Sequence, residues 1–255
     1  ALEAGKHVLC EARMARDVAE ARVMTRAAHA RPDLVCQIVP SPFTLTRDAT
    51  VLRLLSDGAI GELVQVEVAA RSGWVDPAAE RTWRQSREIS GVNVMALGIW
   101  YEALMRWVGE ATRVSALART VVPRRPDQEG ILRTVDVPDH LDVIAELAGG
   151  AHLRMVLSQA IAGAEPDGVR LYGTAGTLQL TGDGLSLSRP GAEAEDVPVP
   201  EDAAGWRVEE EFVGAIRGTE PVRHTTVDDA LRYMLFTEAV HRSVHEHRQV
   251  SLSEL

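Results

Sequence analysis

Apolar positions in the first forty residues fall into two short continuous runs, "HVLC" and "LVCQIV", with an amphipathic stretch between them. Continuous apolar runs flanking a 3.6-residue period predict a strand, a helix and a second strand taken from a parallel sheet. In the intervening helix Val18, Ala21, Arg22 and Thr25 share one face, and Pro32 and Asp33 mark its end. Two parallel strands alone would leave both sheet edges unpaired, so the pattern calls for further strands upstream of Ala1 or in a partner. The opening "ALEAG" fits the last turn of a helix closed by Gly5, a start in mid-domain.

The pattern changes after residue 40. "TRDATVLRLLSDGAIGE" reads as a helix stopped at Gly58. From Leu63, "LVQVEVAARSG" alternates, with Val64, Val66 and Val68 on one face, as in a half-exposed antiparallel strand. "HLDVIAELAGGAHLRMVLSQ" predicts a hairpin turning at Gly149-Gly150, and "VRLYGTAGTLQLTGDGLSLS" adds short strands with glycine turns. A long helix is predicted over "NVMALGIWYEALMRWVG", and two more close the chain, the last opened by a Thr226/Asp229 capping box. "VVPRRPDQEGILRTVDVPDH" is the longest stretch without a period and reads as a loop. The expected class is α/β plus α+β. Residues 1–40 supply part of a parallel sheet, and residues 41–255 form a larger domain with an open, mainly antiparallel sheet covered by helices.

Charge and cysteine usage narrow the function classes. A net charge of −10 opposes general binding to nucleic acid or to anionic membranes. No apolar run is long enough to span a bilayer. Cys10 and Cys36 stand in separate strand-like runs without metal spacing, which suits a reducing cytoplasm. His241 and His245 share a helix face, but no HExxH pattern accompanies them.

Several stretches together resemble one family. "ALEAGKHVLCEARMA" is similar to the A-L-E-A-G-K-H-V-x-x-E-K-P-x-A segment of the Gfo/Idh/MocA oxidoreductases. "WRQSREISGVNVMALGIWYEALMRWVGE" resembles their W-R…G-G-G-x-L-x-D-x-G-x-H-x-x-D segment. "LLSDGAIGELVQVEV", "LYGTAGTLQL" and "EEEFVGAIRG" fit the family's sheet domain and penultimate helix. The resemblance implies a Rossmann NAD- or NADP-binding domain, of which residues 1–40 are the closing part, then a substrate and oligomerisation domain. It implies an oxidoreductase acting on a sugar, polyol or related small carbonyl compound, assembled as a homodimer or homotetramer through the open sheet. The glycine-rich phosphate loop would lie upstream of Ala1; "YGTAGTL" sits between alternating strands and opens no helix, so it is no substitute.

The family's proton-transfer residues do not carry over. Its lysine falls on Ala12, its proline on Arg13, its aspartate on Ala96, its histidine on Trp100 and its final aspartate on Ala103, while Glu11, Gly91 and Gly98 match. On a helix reaching back to Asn93, positions 93, 96, 100 and 103 would share one face with no proton acceptor of useful pKa. Arg13 is never neutral and instead suits a carboxylate or phosphate. Glu11, Arg13, Trp83 and Arg84 are the expected cofactor-side residues. Ser41, Phe43, Asn93, Trp100 and Tyr101 are the expected substrate-side residues. Asn93, His140 and Tyr101 remain as candidates for the catalytic role. Glu102 precedes Arg106 by four residues and reads as a solvated ion pair. The altered face also admits a non-catalytic protein binding a sugar-like ligand or a partner on the same scaffold.

Overall fold

β1 (Val8–Cys10) and β2 (Cys36–Ile38) pair in parallel, Val8 against Cys36 and Cys10 against Ile38. The structure is a computed structural model that describes residues 1–71, 73–182 and 184–255. Between the two strands runs α1 (Val18–His29), capped by Asp17, whose carboxylate accepts the Glu20 amide. Val18, Ala21, Thr25 and Ala28 are its buried stripe, while Arg22 turns to solvent. α2 (Leu45–Ser56) then leads to β3 (Leu63–Ala70).

The rest of the chain builds α3 (Arg87–Ser90), α4 (Leu97–Val108), β4 (Ala111–Arg119), β5 (Arg124–Pro126) and β6 (Leu132–Thr134). Next come β7 (His140–Leu147), β8 (His152–Ser158), β9 (Gly168–Gly173), β10 (Thr177–Thr181), β11 (Gly184–Ser188) and β12 (Glu195–Asp196). The chain closes with α5 (Val208–Arg217), α6 (Val227–Glu246) and β13 (Val250–Ser251). A nine-stranded sheet runs in the order β12-β11-β10-β9-β3-β8-β7-β4-β13. Val143, Leu153 and Met155 point from it to the side covered by α4 and α6, where they are at most 1% exposed. The opposite face is open, with Leu117 and Ile144 at 74% and 61% exposure. The architecture is thus a small parallel sheet beside a large, mostly antiparallel one with helices on one side.

Four expectations change. β3 is not a simple antiparallel strand: it lies mid-sheet, parallel to β8 and antiparallel to β9, because the long chain between β3 and β8 permits a parallel return that no tight hairpin could make. A register shift between Leu63 and Gln65 turns Val64 outward, whereas Val66 and Val68 are fully buried. The 121–140 stretch is not irregular throughout; it carries the β5–β6 hairpin, and the Asp139 carboxylate accepts the Val121 and Val122 amides. The central helix begins at Leu97, not at Asn93, because residues 91–96 turn through positive φ at Gly91 and Met95. Asn93 and Ala96 therefore do not share a helix face with Trp100.

The fourth correction concerns Glu102. It is 4% exposed and belongs to a buried network. Its carboxylate accepts the Ser41 amide at 2.8 Å and the Thr225 hydroxyl at 2.6 Å, and pairs with Arg106 at 3.0 Å. Arg106 also meets Asp48 at 2.9 Å and donates to the Thr44 hydroxyl. The network ties the segment after β2, the start of α2, α4 and the entry to α6 to one another, which is why so polar a group is buried.

Candidate functional site

The carboxyl end of β1 is where an open α/β sheet presents its crevice. There the chain passes from Glu11 through a cis Ala12–Arg13 peptide bond into the Met14–Arg16 segment and then α1. A cleft of about 800 Å³ opens at this point. Its first wall is the 11–16 segment. The second comes from the turn before α4, with Ser90, Asn93, Met95 and Ala96. Trp83 and Arg84 stand on a short 3₁₀ turn, and Gln159 follows β8.

Hydrogen bonds lock the first two walls to each other. Val92 N–H donates to the Arg16 carbonyl at 2.8 Å, Asn93 Nδ2 donates to the Ala15 and Ser90 carbonyls at 2.9 Å, and Arg13 Nη1 donates to the Met95 carbonyl at 2.8 Å. Behind them the Tyr233 hydroxyl accepts the Met14 amide at 2.6 Å. Gly91 makes this approach possible: its φ is +60°, and a Cβ there would lie 2.1 Å from the Arg16 carbonyl oxygen.

Charge in the cleft is uneven. Arg16 and Glu20 pair with each other, with Nε to Oε1 at 2.8 Å. Glu11 is exposed at the strand end. Arg13 is largely sheltered from solvent, and its Nε is buried without an acceptor. Burial, and then the nearby Arg84 charge, push its pKa down from the ordinary arginine value. Arg84 lies over the Trp83 ring at 4.3 Å, and that ring is 48% exposed.

The structure thus gathers Glu11, Arg13, Trp83, Arg84 and Asn93 around one cleft and leaves the other candidates elsewhere. Both Asn93 amide hydrogens go to backbone carbonyls, so it is neither a helix cap nor a free donor; its Oδ1 is buried and unbonded. Tyr101 is core: it stacks on Phe236 at 3.7 Å, its hydroxyl accepts the Ala111 amide, and burial raises its pKa. Trp100 is 6% exposed and packs on Phe43 with ring centroids 4.3 Å apart. Ser41 is in the Glu102 network. His140 bonds Asp142 on the open face of the sheet, away from the cleft. None of these five lines the cleft: Trp100 and Tyr101 lie on the buried face of α4, Phe43 packs on Trp100, Ser41 is taken up by the Glu102 network, and His140 stands on the sheet's open face. His241 faces Arg87 at 3.0 Å, and burial, with His245, Arg87 and Arg242, lowers its pKa to about 4. Among the described residues no cluster of three or more His, Cys, Asp or Glu is arranged for a metal ion.

Met95, Ile99 and Gln159 line the cleft without having been singled out from sequence. Gln159 carried one signal, its place just past an alternating strand, but which end of the sheet faces β1 is not written locally.

Residues 49–179, just over half of the chain, match the GFO/IDH/MocA C-terminal domain family. The chain belongs to the Gfo/Idh/MocA family. Levoglucosan dehydrogenase of Pseudarthrobacter phenanthrenivorans is 28% identical over 167 residues, covering 59% of this chain. The chain spans less than half of that curated relative, the match covering 43% of its length. Among solved structures, an NAD binding oxidoreductase from Klebsiella pneumoniae superposes with a TM-score of 0.86 at 21% identity, over 99% of this chain and 75% of that one. Levoglucosan dehydrogenase in complex with NADH and L-sorbose gives 0.85 at 23% identity, over 99% and 75%. At these identities the superpositions speak for a shared fold. Among the described residues no helix is long and apolar enough to cross a membrane.

Proposed function

We propose that this protein is an NAD- or NADP-dependent oxidoreductase that moves a hydride between the nicotinamide and a sugar, polyol or related small carbonyl compound, with an altered proton-transfer site. The observation that carries the reading is the cleft at the end of β1, where Glu11 stands in one cavity with Trp83 and Arg84 in a chain of this family. The relatives support it, one of them being a dehydrogenase seen with NADH and a sugar.

The residues present fit the nicotinamide end of such a cofactor. Trp83 offers a flat, half-exposed ring, and Glu11 offers a carboxylate to ribose hydroxyls. No G-x-G-x-x-G occurs in the chain, so residues 1–40 are read as the closing part of the dinucleotide domain and residues 41–255 as the substrate domain. When bound, the cofactor supplies the hydride acceptor or donor. The proton needs a separate acceptor. Ala12 and Ala96 cannot serve, Arg13 is a fixed cation, and Glu20 is held by Arg16. Glu11 remains, reaching the reacting hydroxyl directly or through one water. The free thiols Cys10 and Cys36 support a cytoplasmic setting.

The test is turnover. The full gene product is incubated with NAD⁺ or NADP⁺ and a panel of polyols, sugars, sugar acids and sugar phosphates, and reduced nicotinamide is followed by absorbance. Expected is turnover that falls by roughly 10²-fold or more in Glu11→Gln, whose amide still bonds ribose hydroxyls and so keeps dinucleotide binding but accepts no proton, and that rises when Ala12→Lys adds a titratable amine. Equal turnover in Glu11→Gln removes Glu11 from the role; no turnover with any substrate and either cofactor removes the reading.

A further inference from the structure

Arg13 is the group that this reading leaves unexplained. A guanidinium withdrawn from water is costly unless an anion or a full set of acceptors compensates it. Here one nitrogen donates to the Met95 carbonyl, Nε is buried with no acceptor, and none of the described ion pairs includes Arg13. The charged side chain whose field acts on it most is another cation, Arg84. With Arg16 and Glu20 neutralising each other, the cleft holds Arg13 and Arg84 against Glu11 alone. A locally cationic cleft in a chain of net charge −10 runs against the protein's overall field.

We infer that the substrate carries an oxyanion, a carboxylate or a phosphate ester on a polyhydroxylated carbon chain, and that Arg13 is its principal partner. Arg13 meets the anion from the 11–16 wall, and Arg84, braced on Trp83, adds its charge in the same cleft. The part of the guanidinium not taken by Met95 or sealed in the protein gives the anion a fixed cationic partner, which orients the carbon chain and compensates its charge. The hydroxyl to be oxidised is thereby presented toward Glu11, two residues away on the same wall of the cleft. Neutral polyols lack the group that compensates Arg13 and are poor ligands. The word substrate rests on the oxidoreductase reading; the anion site itself does not.

Calorimetric titrations separate the cases, using D-gluconate, glucose 6-phosphate, glucose and myo-inositol, each with and without NADH. Expected is saturable binding of gluconate or glucose 6-phosphate, whichever anion is preferred, and no comparable binding of glucose or inositol. Arg13→Met weakens the anion about ten- to a hundredfold, Arg13→Lys recovers part of it, and NADH affinity is unchanged in both. A thermal melt of each variant confirms folding. Neutral sugars binding as tightly as gluconate, or Arg13→Met leaving the anion unaffected, overturns the inference. Loss of NADH affinity in Arg13→Met alongside the anion also overturns it, because the cofactor's own phosphate would then be the partner. A protein that takes gluconate through Arg13 but ignores both dinucleotides keeps the anion site and loses the oxidoreductase reading.

Discussion

At the scale of single residues, the cleft depends on a few side chains whose local surroundings force their roles. Gly91 is the clearest. Its positive φ and the Arg16 carbonyl 2.1 Å from a would-be Cβ leave no room for alanine. Gly91→Ala is expected to lower stability by roughly 2 kcal/mol or more, through backbone strain and the loss of the Val92–Arg16 bond. Chemical denaturation checks this, and an unchanged midpoint would show that the two walls are not locked as described. The sequence marked Gly91 through its family resemblance, but not what it approaches: residues 16 and 91 are far apart along the chain. The same holds for Asn93, whose amide was visible while its two backbone acceptors were not. Arg13 was legible as a fixed charge. Its shortage of acceptors was not, because that depends on how deeply it is buried.

Elements show where periodicity suffices and where it does not. α1, α6 and the β7–β8 hairpin stand close to where apolar spacing, caps and turn glycines place them. α4 does not, since apolar residues continue across the 91–96 turn and hide the break that positive φ imposes. Trp100 and Tyr101 are in the core rather than in a pocket because α4 packs between α2 and α6, a neighbourhood that no local pattern records. The Glu102–Arg106 pair shows the same limit, because i,i+4 spacing cannot say whether the face it lies on is wet. Here Arg106 is the cation for two carboxylates, Glu102 and Asp48, which are 5% and 9% exposed at the side chain. Arg106→Met leaves both uncompensated, and a loss of about 3–5 kcal/mol is expected. Replacing Arg106 with no measurable change in unfolding free energy would show the network to be idle.

For the whole molecule, the nine-stranded sheet has helices on one side only. The pattern of alternating strands foretold a half-covered sheet, but not the parallel β3–β8 pairing at its centre, which depends on long-range topology. The uncovered face bears Leu117 and Ile144 well exposed among charged neighbours, including the Glu67–Arg170 and Arg113–Glu146 pairs. We propose that this face joins copies of the chain into a dimer or tetramer, since no helix covers it and it presents Leu117 and Ile144 beside ion pairs that a second copy could meet. Leu117→Glu with Ile144→Glu is expected to shift the mass measured by light scattering to that of a monomer; a wild-type protein that is already monomeric would remove the proposal. Neither Leu117 nor Ile144 lines the cleft, so this test leaves the candidate site untouched.

We propose above all that the cleft at the end of β1 holds the nicotinamide end of a dinucleotide. Titration of the full gene product with NADH and with NADPH, followed by nicotinamide fluorescence, tests it most directly. Saturable binding of at least one of the two is expected, weakened when Trp83→Leu removes the aromatic face of the cleft. Binding of neither dinucleotide would contradict it.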